Sequence, residues 1–238
     1  MTVDLGEPPA RMNPRMIFVP DRSVLYVAVP KTGCTTIKTV MAASVGVLGP
    51  AAPPARTRAA IHRAWRDREA NWRDLTDAER DALLTGATTF RFTSVRNPFA
   101  RAVSCYLNKI VDGPGAGNLS RRMRNLGVGS MFAFLDVVAD ERPLQRDVHY
   151  RAMADLCHAG VIRYDDIVRF ETFEADLRRI MARSNLAAVA VPKPAWRNRT
   201  DAASRLHELL GPRECDLIRS IYRVDFETFG YPMDLPPA

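Results

Sequence analysis

The chain's 238 residues suffice for one domain, or one with a small appendage, and for a sizeable buried core. With 47% hydrophobic and 26% charged residues it has the composition of a soluble globular protein, and four widely spaced cysteines without a C-x-x-C pair argue against a zinc cluster or a dense disulfide framework. The net charge of +7, supplied mostly by arginine, favours anionic ligands without separating nucleotide, nucleic acid, acidic glycan and membrane surface.

Residues 1–15, with Pro8, Pro9 and Pro14, read as a flexible lead-in, and 16–238 as a single domain. The start lacks the basic end and apolar core of a signal peptide, and no segment reaches about 18 uninterrupted apolar residues. No membrane span is therefore expected, and the expected compartment is the cytoplasm, with reduced thiols; the even cysteine count permits disulfides without requiring them. Met16 to Val19 reads as a short strand, Asp21-Arg22-Ser23 as a turn, and Leu25 to Val29 as a core strand. That strand runs into Pro30-Lys31-Thr32-Gly33-Cys34-Thr35-Thr36, after which Ile37, Val40, Met41, Val45 and Leu48 recur at helical spacing. A helix that begins in such a loop presents unpaired amides and the positive end of its dipole, which suits an anion; Lys31 adds a mobile charge.

Pro50, Pro53 and Pro54 mark a linker. A charged segment from Arg56 to Arg73 reads as helical, with Ile61, Trp65 and Trp72 as its apolar members, and Thr76 with Glu79 reads as a capping box. Thr88 to Val95 reads as a second core strand, ending at Arg96-Asn97-Pro98. Asn97 is placed as an N-cap and Pro98 at the first helical position. The following helix carries Phe99, Val103, Tyr106, Leu107 and Ile110 on one face and closes at Gly113 to Gly117. Residues 113–130 read as a surface excursion, Met131 to Val138 as a short helix and Asp166 to Phe170 as a further strand. Glu171 to Ser184 reads as a helix, 187–200 as a basic loop, and the end as two helices split at Gly211-Pro212. Strands alternating with helices predict an α/β fold with a mainly parallel sheet between helical layers, with ligands beyond the carboxyl ends of the strands. Lys31 and Arg96 both occupy that kind of position.

Ser104 stands eight residues after Arg96. A long arginine reaching over the first turn and a hydroxyl about two turns along could share one phosphate. Each segment alone is compatible with an ordinary strand-to-helix turn; the pair is more specific. Residues 30–36 resemble the 5′-phosphosulfate loop of the carbohydrate sulfotransferases (sulfotransferase family 2, Golgi enzymes and their bacterial relatives). Val95-Arg96-Asn97-Pro98-Phe99-Ala100-Arg101-Ala102-Val103-Ser104-Cys105-Tyr106 resembles that family's 3′-phosphate loop. The resemblance continues at His149–Cys157, Tyr164–Glu171 and Tyr222–Tyr231. Asn97 stands where the family often has an acidic residue, Cys105 where alanine is usual, and Tyr150 where tryptophan is common.

The resemblance implies a P-loop-NTPase-like fold and transfer of a sulfuryl group from 3′-phosphoadenosine 5′-phosphosulfate (PAPS) to a hydroxyl, with a glycan, a glycolipid or a small molecule as acceptor. It implies that Lys31, Thr32, Gly33, Cys34, Thr35 and Thr36 hold the 5′-phosphosulfate, with Lys31 at the leaving group, and that Arg96 and Ser104 hold the 3′-phosphate. Arg197 and Arg199 are candidates to cover the nucleotide. His62, between the two loops, is the first candidate for the general base that an alcohol nucleophile needs, and His149 the second. No metal is expected, because a sulfonate carries less charge than a phosphoryl group and no carboxylate cluster offers a site. No nucleic-acid motif accompanies the basic charge, peripheral membrane contact is left open, and the oligomeric state is not legible. Two alternatives stand beside this reading: a non-catalytic nucleotide-binding relative, and a kinase-like phosphotransferase. Against the second, Lys31 precedes the glycine, so G-x-x-x-x-G-K-[ST] is absent.

Overall fold

A computed structural model describes residues 15–46, 61, 65, 75–112, 117–186 and 202–237. The lead-in before residue 15, the proline linker, most of the charged segment 56–73 and the basic loop 187–200 lie outside the described residues.

Four strands form one sheet in the order β1-β2-β3-β4: β1 (Met16–Val19), β2 (Val24–Val27), β3 (Phe90–Val95) and β4 (Asp166–Arg169). β1 pairs with β2 antiparallel, across a tight turn in which Ser23 is left-handed (φ 51°). β2–β3 and β3–β4 are parallel, so the sheet is mainly parallel, as its strand–helix alternation predicts. Every residue of β2 is buried, which its run of valine, leucine and tyrosine makes favourable. β3 is more polar, and its side chains find partners on neighbouring elements. Tyr26 Oη and Ser94 Oγ lie 3.0 Å apart, and Thr93 Oγ1 donates to the Val27 carbonyl at 2.8 Å.

The described residues group into two compact units. The first holds the sheet with α1 (Cys34–Ser44), α2 (Asp77–Thr85) and α7 (Phe173–Arg183). Its core joins Ile37, Val40 and Met41 of α1 and Phe173, Leu177 and Ile180 of α7 to Tyr26, Phe92 and Val168 of the sheet. Ile61 and Trp65 are helical and fully buried in the same core; the Trp65 indole N–H donates to the Lys38 carbonyl at 2.9 Å. Trp65 is thus a core residue, as its place among the apolar members of the segment suggests. α2 begins with the expected capping box, the Glu79 amide reaching Thr76 Oγ1 and the Glu79 carboxylate accepting from the Thr76 amide.

The second unit holds Pro30–Thr32 together with α3 (Pro98–Tyr106), α4 (Asn118–Asn125), α5 (Met131–Asp140), α6 (Met153–Leu156), α8 (Leu206–Leu209), α9 (Pro212–Ile221) and α10 (Arg223–Phe229). All nine residues of α3 are buried, and Phe99 packs edge-on to Phe226. α3 runs into a π-helical turn, Leu107–Val111, closed by the Asp112 amide on the Leu107 carbonyl at 2.7 Å.

The excursion expected at 113–130 is corrected in part: α4 lies within it, with Leu119 and Met123 buried one turn apart. Glycines on both sides obscure this short helix in the sequence. Its Arg122 pairs with Glu141 at 2.6 Å and donates to Tyr150 Oη, so that arginine is engaged within the unit. The C-terminal segment holds three short helices where two were expected, because Tyr222 leaves helical geometry between α9 and α10.

Candidate active site

β2 and β3 are parallel neighbours, so the chain leaves both at the same sheet edge. After β2 it passes through Pro30–Thr32; after β3 it enters Arg96 and α3. Within the second unit these two segments touch. Arg96 Nη1 donates to the Lys31 carbonyl at 3.3 Å, and Arg101 Nε donates to the Pro30 carbonyl at 3.1 Å. Lys31 is left-handed (φ 73°), a conformation that costs a lysine energy, and the two guanidinium contacts hold its flanking carbonyls. Thr32 is fully buried.

Asn97 caps α3 as its sequence position predicts, its Oδ1 accepting from the amides of Phe99 and Ala100. Arg96, in the turn before α3, and Ser104, within α3, are both buried, at 7% and 3% exposure. Cys105 is fully buried, and burial pushes its thiol up to about 11, against the pull of Lys31 and Arg101. It is an inert packing group. All four cysteines are free thiols.

In the first unit Gly33 is the N-cap of α1, at φ 84°. It has no side chain to cap the helix, and the first turn of α1 contains no acidic residue. The positive end of the helix dipole therefore meets no acidic side chain in its own first turn, an arrangement that favours an anion. A Cβ at Gly33 would collide with the Phe173 ring, so both conformation and space select glycine. Cys34, Thr35 and Thr36 follow, all partly exposed.

His149 Nδ1 lies 2.7 Å from Asp147 Oδ1, which also accepts from the His149 amide at 2.9 Å. A proton on Nδ1 directed at the carboxylate leaves Nε2 as the acceptor nitrogen of the neutral ring. His207 is tied to the Pro236 carbonyl at 2.8 Å. His62, Arg197 and Arg199 lie outside the described residues. Among the described residues no group of three or more His, Cys, Asp or Glu side chains could hold a metal ion, and no helix is long and apolar enough to cross a membrane.

Sequence reasoning passed over Arg101 and Asp225. Arg101 is the one charged residue in α3, and a lone charge inside an otherwise uncharged helix is the signal that could have marked it.

Comparison with known proteins bears on this geometry. Residues 14–232 match a family described as the sulfotransferase family. Carbohydrate sulfotransferase 8 of Mus musculus is 30% identical over 193 residues, covering 71% of this chain and 44% of that protein. Carbohydrate sulfotransferase 14 of Homo sapiens is 27% identical over 239 residues, covering 92% of this chain and 61% of its own length. The chain thus spans about half the length of the curated relatives it matches. No solved structure gives a significant match. The match across nearly all of the chain, over both strand–loop–helix segments, places it: the chain belongs to the sulfotransferase family.

Proposed function

We propose that the chain transfers a sulfuryl group from PAPS to a hydroxyl of a carbohydrate. The observation that carries this reading is the junction of the two loops, where Arg96 of the second binds the Lys31 carbonyl of the first at 3.3 Å. A donor with phosphates at both ends of its ribose needs two anion-binding segments, and each candidate segment offers cations or amides of the right kind. Carbohydrate as the acceptor class is supported by the names of the relatives.

The donor, once bound, supplies an activated sulfuryl group on a phosphate leaving group. The residues do the rest. Lys31 and the loop from Thr32 to Thr36 neutralise charge on the 5′ side, and Arg96 with Ser104 holds the 3′-phosphate that distinguishes this donor from ATP. Arg197 and Arg199 are proposed to cover the nucleotide. His62 is proposed to take the acceptor's proton. A second reading gives that task to His149, because Asp147 orients its ring in the way a general base needs.

The test is calorimetric binding of adenosine 3′,5′-bisphosphate against ADP. The wild type is expected to prefer the bisphosphate, and Arg96→Ala to lose about tenfold to a hundredfold of that preference, with a greater loss toward the bisphosphate than toward ADP. Equal binding of the two ligands by the wild type, or an unchanged preference in the variant, overturns the assignment and favours the kinase-like or non-catalytic alternative.

A further inference from the structure

We propose that Arg101 is a positioning residue that sets the Pro30–Lys31 peptide so that the Lys31 amide faces the 5′-phosphate of the donor. The inference rests on the donor reading above.

Arg101 is 2% exposed and Asp225 fully buried, so each charge must be compensated inside the protein. Arg101 Nε goes to the Pro30 carbonyl, and Nη1 goes to the Arg151 carbonyl at 2.8 Å. Asp225 accepts from the amides of Met153 at 2.9 Å and Ala154 at 2.8 Å, and its carboxylate feels the Arg101 guanidinium. Met153 Sδ in turn accepts from the Arg96 amide at 3.4 Å. Hydrogen bonds thereby tie α10 to α6 and α6 to Arg96, while Arg96 and Arg101 both hold the loop at Pro30–Lys31.

The consequence lies in peptide geometry. The described backbone has no cis bonds, and in a trans peptide the C=O and N–H point to opposite sides. Arg101 on the Pro30 carbonyl therefore directs the Lys31 amide away from the network. Arg96 on the Lys31 carbonyl does the same for the Thr32 amide. Two successive amides are turned to one task by two arginines, and the left-handed Lys31 between them is held where the chain alone would not keep it. A lysine at position 101 would retain a charge near Asp225, but its single ammonium lacks the fork that reaches two carbonyls from separate segments.

Calorimetry with two ligands tests this, using the full chain well below its melting midpoint: adenosine 3′,5′-bisphosphate and adenosine 3′-monophosphate, which lacks the 5′-phosphate. Wild type is expected to bind the bisphosphate more tightly; if it binds neither, or both alike, the donor reading itself fails. Given that preference, Arg101→Lys is expected to weaken the bisphosphate by about tenfold or more and to leave the monophosphate within about twofold. Equal losses for both ligands indicate a merely structural role and overturn the inference, as does no loss at all. Should Arg101→Lys fail to fold, Arg101→Met combined with Asp225→Asn removes both charges together, and the same two ligands decide by the same outcomes.

Discussion

Asp225 is the group whose charge state most directly tests the buried network. Burial pushes its carboxyl up to about 6 from an ordinary value of 3.8; Arg101 and the amides of Ala154 and Met153 pull it down, and Asp155 adds to the rise. In the unfolded chain the group titrates near 3.8, so between these values the folded protein binds more protons than the unfolded one. By linkage the group's contribution to stability grows as pH falls through about 6 and is absent where Asp225 is fully ionised. Between about pH 7.5 and about pH 4.5 that gain amounts to about 2 kcal/mol. Asp166 and Asp176 act in the opposite sense. Burial raises both, but hydrogen bonds to Asp166 from Arg179 and to Asp176 from Thr172 hold them below the ordinary value, and their stabilisation is lost as pH falls through it. A single pH curve mixes the two signs, whereas the difference between wild type and Asp225→Asn cancels what they share. Asparagine offers one oxygen to two amides, which costs about 1–3 kcal/mol at every pH. Urea unfolding of both proteins across this range is expected to give a difference that widens toward acid by about 2 kcal/mol, in favour of the wild type. A difference that stays flat, or narrows toward acid, refutes the assignment of Asp225 as a buried, acid-stabilised carboxylate.

Gly33→Ala is expected to cost about 2–4 kcal/mol in the same assay, from the left-handed backbone and the displaced Phe173 ring, and a loss below about 1 kcal/mol would show that the ring yields freely. His62→Ala is expected to keep bisphosphate affinity and to lose sulfate transfer from labelled donor to polysaccharide acceptors by about a hundredfold or more. If His149→Ala loses that turnover and His62→Ala retains it, the base is the ring that Asp147 orients.

Much of the fold was legible because it rests on local signals. Asn97-Pro98 and Thr76 with Glu79 mark helix starts through contacts within one turn, and both cap as their spacing predicts. β1 and β2 announced themselves as short apolar runs. α4 did not, since its eight residues hold only two buried apolar side chains, and the glycines on either side carry a stronger local message. In the candidate site, the loop and Arg96 were found through their positions after two strands. Arg101 and Asp225 were missed because their roles depend on contacts 71 or 72 residues apart in sequence, which no window of the chain reveals. The Asp147–His149 pair is local, yet only the folded turn shows that ring and carboxylate meet.

The arginine excess also acquires a different meaning. Read from composition, a charge of +7 suggests a surface field for anionic partners. Among the described residues four arginines are instead buried, and three of them each tie together two backbone carbonyls. Arg91 reaches Leu83 and Gly86, Arg101 reaches Pro30 and Arg151, and Arg146 reaches Val138 and Ile221. A carbonyl buried at a helix end or in a loop must be satisfied, and where no amide is within reach a guanidinium serves two such groups at once. Lysine cannot do this from one stem, which gives a physical reason for arginine at these positions. The net charge therefore overstates the positive surface available to a polyanion. Anion recognition is better sought at Lys31 and Arg96, where the interior ties of the protein end and the proposed donor begins.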